Sequence, residues 1–149
     1  MPAQATMLPP QQLIDAAKAP ILAYGRKDWD AVKASVTPDI VYDEVATNRK
    51  VQGTDAVLTL WKGWATAFPD SAATFHSAYA SGNTVVIELT WKGTHTGPME
   101  TPKGPIAPTG KRIEIRACNV VEITEAGKTK QQRQYFDMAT MLQQISVMS

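Results

Sequence analysis

Two long segments of this chain alternate in character with a period of two, and half-buried β-strands are the structure that such a pattern dictates. In residues 84–96, Val85, Ile87, Leu89, Trp91 and His95 share one parity, opposed by Val86, Glu88, Thr90, Lys92 and Thr94. In residues 111–124, Ile113, Ile115, Ala117, Asn119, Val121 and Ile123 form one face, opposed by Arg112, Glu114, Arg116 and Glu122. Successive strand side chains point to opposite sides, so each segment lays one apolar face on a core and turns a charged face outward. A single bulge would flip part of this assignment.

The remaining elements arrange themselves around these strands. Residues 1–9 read as a loose tail, and 10–149 as one domain. From Gln11, Leu13, Ile14, Ala17, Ile21 and Leu22 recur at helical spacing, with Pro20 expected to kink the helix or start a new turn. Asp28 can cap a short second helix bearing Trp29, Val32 and Val36. Residues 39–46 read as a strand with Ile40, Tyr42 and Glu44 on one face. Thr54 is the expected cap of a third helix, whose stripe is Val57, Trp61, Trp64 and Phe68. Strands follow at 72–80 and 128–136, with turns at 81–83 and 125–127. Residues 97–110 hold four prolines and three glycines and read as a loop over a pocket mouth. Asp137 is expected to cap a short last helix with Met138, Met141, Leu142 and Ile145. Helices segregated from a run of antiparallel strands make an α+β fold, and a strongly curved sheet closed by helices encloses a concavity fit for a ligand.

Composition narrows the function classes. With 44% apolar and 19% charged residues in 149, the chain has globular composition and enough length for a sizeable core. A net charge of +1 without basic runs argues against nucleic acid and anionic membrane as partners. The lone Cys118 excludes an internal disulfide and suits a reducing cytoplasm. The first ten residues, with three prolines and no Lys or Arg, do not read as a secretory signal. Two histidines and one cysteine match no zinc spacing, and no glycine-rich phosphate loop is present, so no metal or cofactor is expected.

Several local motifs resemble SnoaL-like polyketide cyclases of the nuclear-transport-factor-like superfamily. They are Gly93-Thr94-His95-Thr96-Gly97, Pro108-Thr109-Gly110-Lys111-Arg112, Gly127-Lys128 and Met141-Leu142-Gln143-Gln144. The resemblance implies a cone-shaped barrel closed by N-terminal helices. It also implies a homodimer paired through the sheet, where Lys92, Arg112, Glu114 and Arg116 would form a polar interface. Arg133-Gln134-Tyr135-Phe136-Asp137 is similar to the Arg-Asp-Tyr-Phe-Asp ending of limonene-epoxide hydrolases. There Gln134 takes the place of a catalytic Asp, and Leu89-Thr90-Trp91 that of an Arg-x-Asp triplet, so that activity is rejected. Against ketosteroid isomerases, counting from Asp39 puts the proton-shuttling base at Glu44, and counting back from Gly127 puts the enolate donor at Asn119. The isomerases' helix-1 tyrosine falls on Pro20, with Tyr24 one turn later as a substitute.

The candidate site follows. Glu44 is the leading general base, because it shares a face with Ile40 and Tyr42; the alternative is a carboxylate paired with Arg49 or Arg116. Asn119, among apolar neighbours, would hydrogen-bond a substrate carbonyl or else serve a structural bond. His95 is an acid-base candidate or a rim histidine. Tyr42 and Gln134 would orient a ligand, and Trp64, Leu89, Trp91, Ile115 and Ala117 would wall it in. For Trp64, core packing is the alternative. Asp137 reads as a helix cap, and Cys118 as a buried structural thiol facing away from the cavity.

Three functions remain open at this level. One is a cofactor-free lyase or isomerase that abstracts a proton beside a carbonyl of a small hydrophobic molecule and stabilises the enolate, for aldol cyclisation or a double-bond shift. The second is a non-catalytic small-molecule binding protein on the same fold. The third is an interaction module that dimerises through its sheet.

Overall fold

The computed structural model describes residues 8–147. Of the expected tail, only Leu8 and Pro9 lie within them, and Leu8 is half-buried against the core rather than loose. Helix α1 (Pro10–Gly25) starts with proline in its first turn, where a missing N–H costs nothing. It runs unbroken through Pro20, burying Leu13, Ala17, Ile21 and Tyr24 along one face. Packing of that face outweighs the hydrogen bond that proline removes, so a single helix continues through the position where a kink or a new turn was expected. Helix α2 (Trp29–Ser35) is capped by Asp28, whose carboxylate accepts from the Ala31 N–H at 3.1 Å.

Strand β1 (Val36–Glu44) ends in a 3-10 turn, Val45–Thr47, and Asn48 in the left-handed region then reverses the chain into β2 (Arg49–Gln52). Sequence reading missed β2, a four-residue edge strand with no apolar alternation. The hairpin register sets Arg49 directly opposite Glu44. Helix α3 (Thr54–Ala67) begins one residue earlier than expected. Gly53 is its cap residue, and Thr54 Oγ1 instead donates to the Thr37 carbonyl at 3.2 Å.

The remaining strands are β3 (Ala72–Ser81), β4 (Thr84–Thr94), β5 (Arg112–Ile123) and β6 (Thr129–Phe136). They form one curved, open sheet in the order β2-β1-β6-β5-β4-β3. The sheet wraps without closing, and its edges are β2 and β3. All pairs are antiparallel except β1 with β6, which join two distant parts of the chain in parallel. Helix α4 (Met138–Gln144) is capped by Asp137, which accepts from the Thr140 N–H. It covers the stretch of β5 that β6 leaves unpaired. There Gln144 imitates a strand neighbour, accepting from the Glu114 N–H at 2.8 Å and donating to its carbonyl at 3.1 Å. Among the described residues, no helix is long and apolar enough to cross a membrane.

Both alternating segments keep their expected parity, with Val85, Ile87, Leu89, Ile113, Ile115, Asn119, Val121 and Ile123 buried. Three apolar clusters result: α1 on β3–β5, the α1–α2–α3–β1 corner, and the end of α3 against β5 and α4. Trp64, Trp91 and Phe136 are each shared between two clusters, so they mark where the three meet.

The segment after β4 crosses the C-terminal end of α3 at contact distance. The Gly97 N–H donates to the Ala67 carbonyl at 3.2 Å, and a Cβ on Gly97 would lie 1.8 Å from the Thr66 carbonyl oxygen. Only glycine fits there. Gly97→Ala is expected to lower stability by about 1–3 kcal/mol, read as a drop in the urea midpoint at unchanged slope.

Candidate active-site cavity

Where the three clusters meet, packing leaves a cavity with about 70 Å³ open to the centre of a water-sized sphere. Helix α1 contributes Ile21 and Tyr24, and α3 contributes Trp61, Trp64 and Phe68 (its C-terminal cap). The sheet adds Tyr42, Trp91, Ile113, Ile115, Gln132, Gln134 and Phe136, while Ser71 and Met141 complete the wall. The aromatic groups brace each other edge to face. Tyr24 meets Trp91 at 5.3 Å and 87°, and Tyr42 meets Trp61 at 5.5 Å and 86°.

A chain of buried polar groups runs behind and through this wall. Glu44 is fully buried, and four donors converge on its carboxylate. Oε1 accepts from Thr47 Oγ1 at 2.6 Å and from Arg49 Nη2 at 2.7 Å. Oε2 accepts from the Tyr42 hydroxyl and from Trp64 Nε1, both at 2.9 Å. Tyr42 in turn accepts from Gln134 Nε2 at 2.8 Å. Gln134 Oε1 accepts from Trp91 Nε1 at 2.8 Å and from Asn119 Nδ2 at 3.1 Å. Asn119 Oδ1 accepts from Gln132 Nε2 at 2.9 Å. Strand register assembles this network, since β1, β6 and β5 place Glu44, Gln134 and Asn119 side by side.

Burial, with the Glu44 carboxylate beside it, pushes the Tyr42 phenol well above its ordinary value. Burial likewise pushes Tyr24 up to about 12, although a 2.6 Å hydrogen bond with Ser71 Oγ works the other way. Both phenols are therefore neutral at physiological pH.

Of the residues singled out from sequence, Tyr42, Trp64, Trp91, Ile115 and Gln134 border the cavity. Glu44 and Asn119 belong to the polar chain but lie behind the wall, screened by Tyr42, Trp64 and Gln134. Leu89 and Ala117 pack in the cluster under α1 instead, because the curvature of the sheet carries their stretch away from the cavity. His95 is buried beside Phe68, 5.2 Å between ring centres, and outside the cavity. The proline-rich loop contributes no residue to the wall. Its Met99 and Ile106 bridge each other and pack on the α4 cluster. Cys118 is half-buried on the outer face, and burial raises its thiol. Sequence reading missed Gln132, Ser71 and Phe136. Gln132 and Phe136 share the parity of Gln134, but the run Lys130-Gln131-Gln132-Arg133-Gln134 lacks the apolar alternation that would have marked a buried face. Among the described residues, no group of His, Cys, Asp or Glu could hold a metal ion.

The SnoaL-like polyketide cyclase family model matches residues 15–145. No curated protein sequence matches. Among solved structures, a candidate SnoaL-like polyketide cyclase from Jannaschia sp. CCS1 superimposes with a TM-score of 0.83 at 15% identity, covering 99% of this chain and 100% of that one. A candidate polyketide cyclase from Streptomyces antibioticus, IdmH, gives 0.77 at 23%, covering 91% and 99%. An epoxide hydrolase of the LEH-like type from M. tuberculosis gives 0.71 at 23%, covering 92% and 91%. At these identities the structures establish the fold.

His95 carries a pH dependence of its own. Its Nδ1 accepts from the Thr109 N–H at 3.2 Å, which puts the proton of the neutral ring on Nε2. Burial lowers its pKa below 6.5. The unfolded chain therefore binds this proton more readily than the folded one, and stability is lost as pH falls from about 6.5 through the lower folded value. His95→Gln is expected to flatten that part of the stability–pH curve relative to the parent, measured by urea midpoints between pH 5 and 7.5.

Proposed function

This chain belongs to the SnoaL-like polyketide cyclase family, and from that premise we propose a cofactor-free enzyme that removes a proton beside a carbonyl of a small, largely apolar compound. The observation that carries the proposal is the Tyr42 hydroxyl. Tyr42 lines the cavity, and its hydroxyl donates at 2.9 Å to a fully buried carboxylate. In the proposed step, the substrate α-carbon loses its proton to Tyr42 Oη while the tyrosine proton passes to Glu44 Oε2. The electron pair left on carbon delocalises into the carbonyl as an enolate. Attack of that enolate carbon on a second carbonyl would form the C–C bond of an aldol cyclisation as that carbonyl's π bond opens to an alkoxide, which takes back the proton held on Glu44; return of the proton at another carbon would instead shift a double bond.

The enolate oxygen needs a donor inside the cavity. Asn119 and His95 lie outside the cavity wall, whereas Tyr24 and Ser71 border it. Their two hydroxyls share one hydrogen bond, so one O–H remains to be given to a ligand. Lys27 Nζ anchors this pair through the Ser71 carbonyl at 2.7 Å. In so apolar a surround, a single well-placed donor stabilises developing charge more than it would in water.

A second reading, a binding protein without chemistry, is favoured by one observation: the only titratable side chains on the cavity wall are two neutral tyrosines. Exchange of the α-protons of 2-tetralone into D2O, followed by NMR, separates the two. The enzyme reading expects exchange above the buffer rate, reduced at least tenfold in Tyr42→Phe and in Glu44→Gln with tetralone affinity retained. Binding without accelerated exchange in the parent would leave the binding-protein reading alone. Absence of binding would sink both.

We further propose that two copies pair through the outer sheet face, where Tyr79 and Tyr135 are exposed and Lys92 meets Glu114 at 3.7 Å. The parent should sediment as a dimer, and Tyr79→Glu/Tyr135→Glu as a monomer.

A further inference from the structure

Helix α4 is fastened to the molecule unlike the other parts of the cavity wall. Among the described residues, every backbone hydrogen bond made by 138–147 closes within that segment and its cap residue Asp137. Three side-chain bonds join it to the body. Gln144 pairs in both directions with the Glu114 backbone, at 2.8 and 3.1 Å, and Lys111 Nζ donates to Ser146 Oγ at 2.6 Å. All three lie at the surface. The strands of the wall are instead held by ladder bonds. The end of α3 accepts the N–H groups of Thr96 and Gly97 at the Ala67 carbonyl, and a buried hydroxyl pair, Tyr24 with Ser71, ties α1 to the sheet side.

The location of α4 gives this loose fastening a consequence. Its Met141 is part of the cavity wall and packs in one cluster with Ile113 and Phe68. If the helix lifts, Met141 leaves the wall and the cavity opens to solvent. Lifting strands no buried polar group, because water takes over the Gln144 amide and the Glu114 N–H and C=O as they separate. The rest of the seat is apolar: Met141 and Ile145 are buried, and Met138 and Leu142 partly so. Such contacts have no preferred direction, and methionine side chains adapt to a changed seat. A single extended residue, Asp137 at φ −96° and ψ 100°, links β6 to the helix and can serve as the hinge.

We propose that α4 is the door of the cavity and Gln144 its latch: ligands enter and leave as the helix swings about Asp137 away from β5, and the Gln144 amide re-forms both bonds to Glu114 on closing. This rests on the reading above only for the cavity as the place of the ligand, not for the proton transfer.

Stopped-flow mixing with 2-tetralone, followed by the fluorescence of the cavity tryptophans, tests it by giving kon and koff separately. Opening precedes both entry and exit, so Gln144→Ala is expected to raise both rates about tenfold, with Kd little changed. Lys111→Cys/Ser146→Cys in a Cys118→Ser background, bridged by dibromobimane, pins the helix beside the start of β5. The bridge is expected to slow both rates about tenfold or more relative to the same protein before bridging. This arm stands even should Gln144→Ala fail to fold. Rates indifferent to the bridge overturn the inference. So does a Gln144→Ala effect confined to koff, the mark of a helix that only walls the ligand in. Both arms as expected in a protein that does not exchange tetralone protons uphold the door and remove only the enzyme reading. Failure of tetralone to bind the parent removes the cavity as a ligand site, and the door with it.

Discussion

A carboxylate taken wholly out of water is the constraint on which the rest of this site depends. Left alone in an apolar interior, Glu44 would be strongly destabilising, so it requires a full set of donors and a counter-charge. The set comes from three places in the chain. Tyr42 shares its strand, Thr47 and Arg49 return through the turn and hairpin that follow, and Trp64 reaches over from α3. Each donor commits its own element. The hairpin register is tied to the ion pair, and the rotation of α3 about its axis is tied to one indole N–H. The same four contacts turn Tyr42 so that its hydroxyl has one side on the carboxylate and the other on Gln134.

From that anchor a direction of polarity spreads across three strands. Gln134 is suited to its place because it accepts from Trp91 and Asn119 while donating to Tyr42. An aspartate there could not donate to Tyr42, and it would set a second carboxylate beside Glu44. The exchange of Asp for Gln relative to the epoxide-hydrolase ending is therefore matched by the exchange of a charged Arg-x-Asp triplet for Leu89-Thr90-Trp91. An indole donor and an amide form a neutral pair where the hydrolases hold charges. The consequence is a cavity with an aromatic wall and few polar groups: the paired hydroxyls of Tyr24 and Ser71, the amides of Gln132 and Gln134, and Tyr42 in front of the buried carboxylate.

Much of the architecture could be read without coordinates, and the reasons are local. Alternation in β4 and β5 marks faces because a strand's period is two, and the stripe through Val57, Trp61, Trp64 and Phe68 marks α3 because a helix's period is near four. Asp28 and Asp137 announce caps through the chemistry of an exposed carboxylate before a free N–H. Where expectation and structure part, a long-range contact decides. Pro20 stays within α1 because the flanking apolar residues are held on the sheet. Arg49 joins a strand because β1 lies beside it.

The sequence by itself determined the fold class, the inner and outer faces of the long strands, and the identity of the residues that could carry chemistry, since these follow from side-chain period and type. Only the tertiary structure decided which inner-face residues border the cavity. The sheet's curvature leaves Leu89 and Ala117 under α1 and brings Trp91 and Ile115 to the cavity, although all four share one parity. It also decided that Glu44 stands behind Tyr42, that His95 belongs to the loop, and that the polar chain ends on Gln132. Hydrogen-bond direction is a property of the whole connected network, and no single residue's identity carries it.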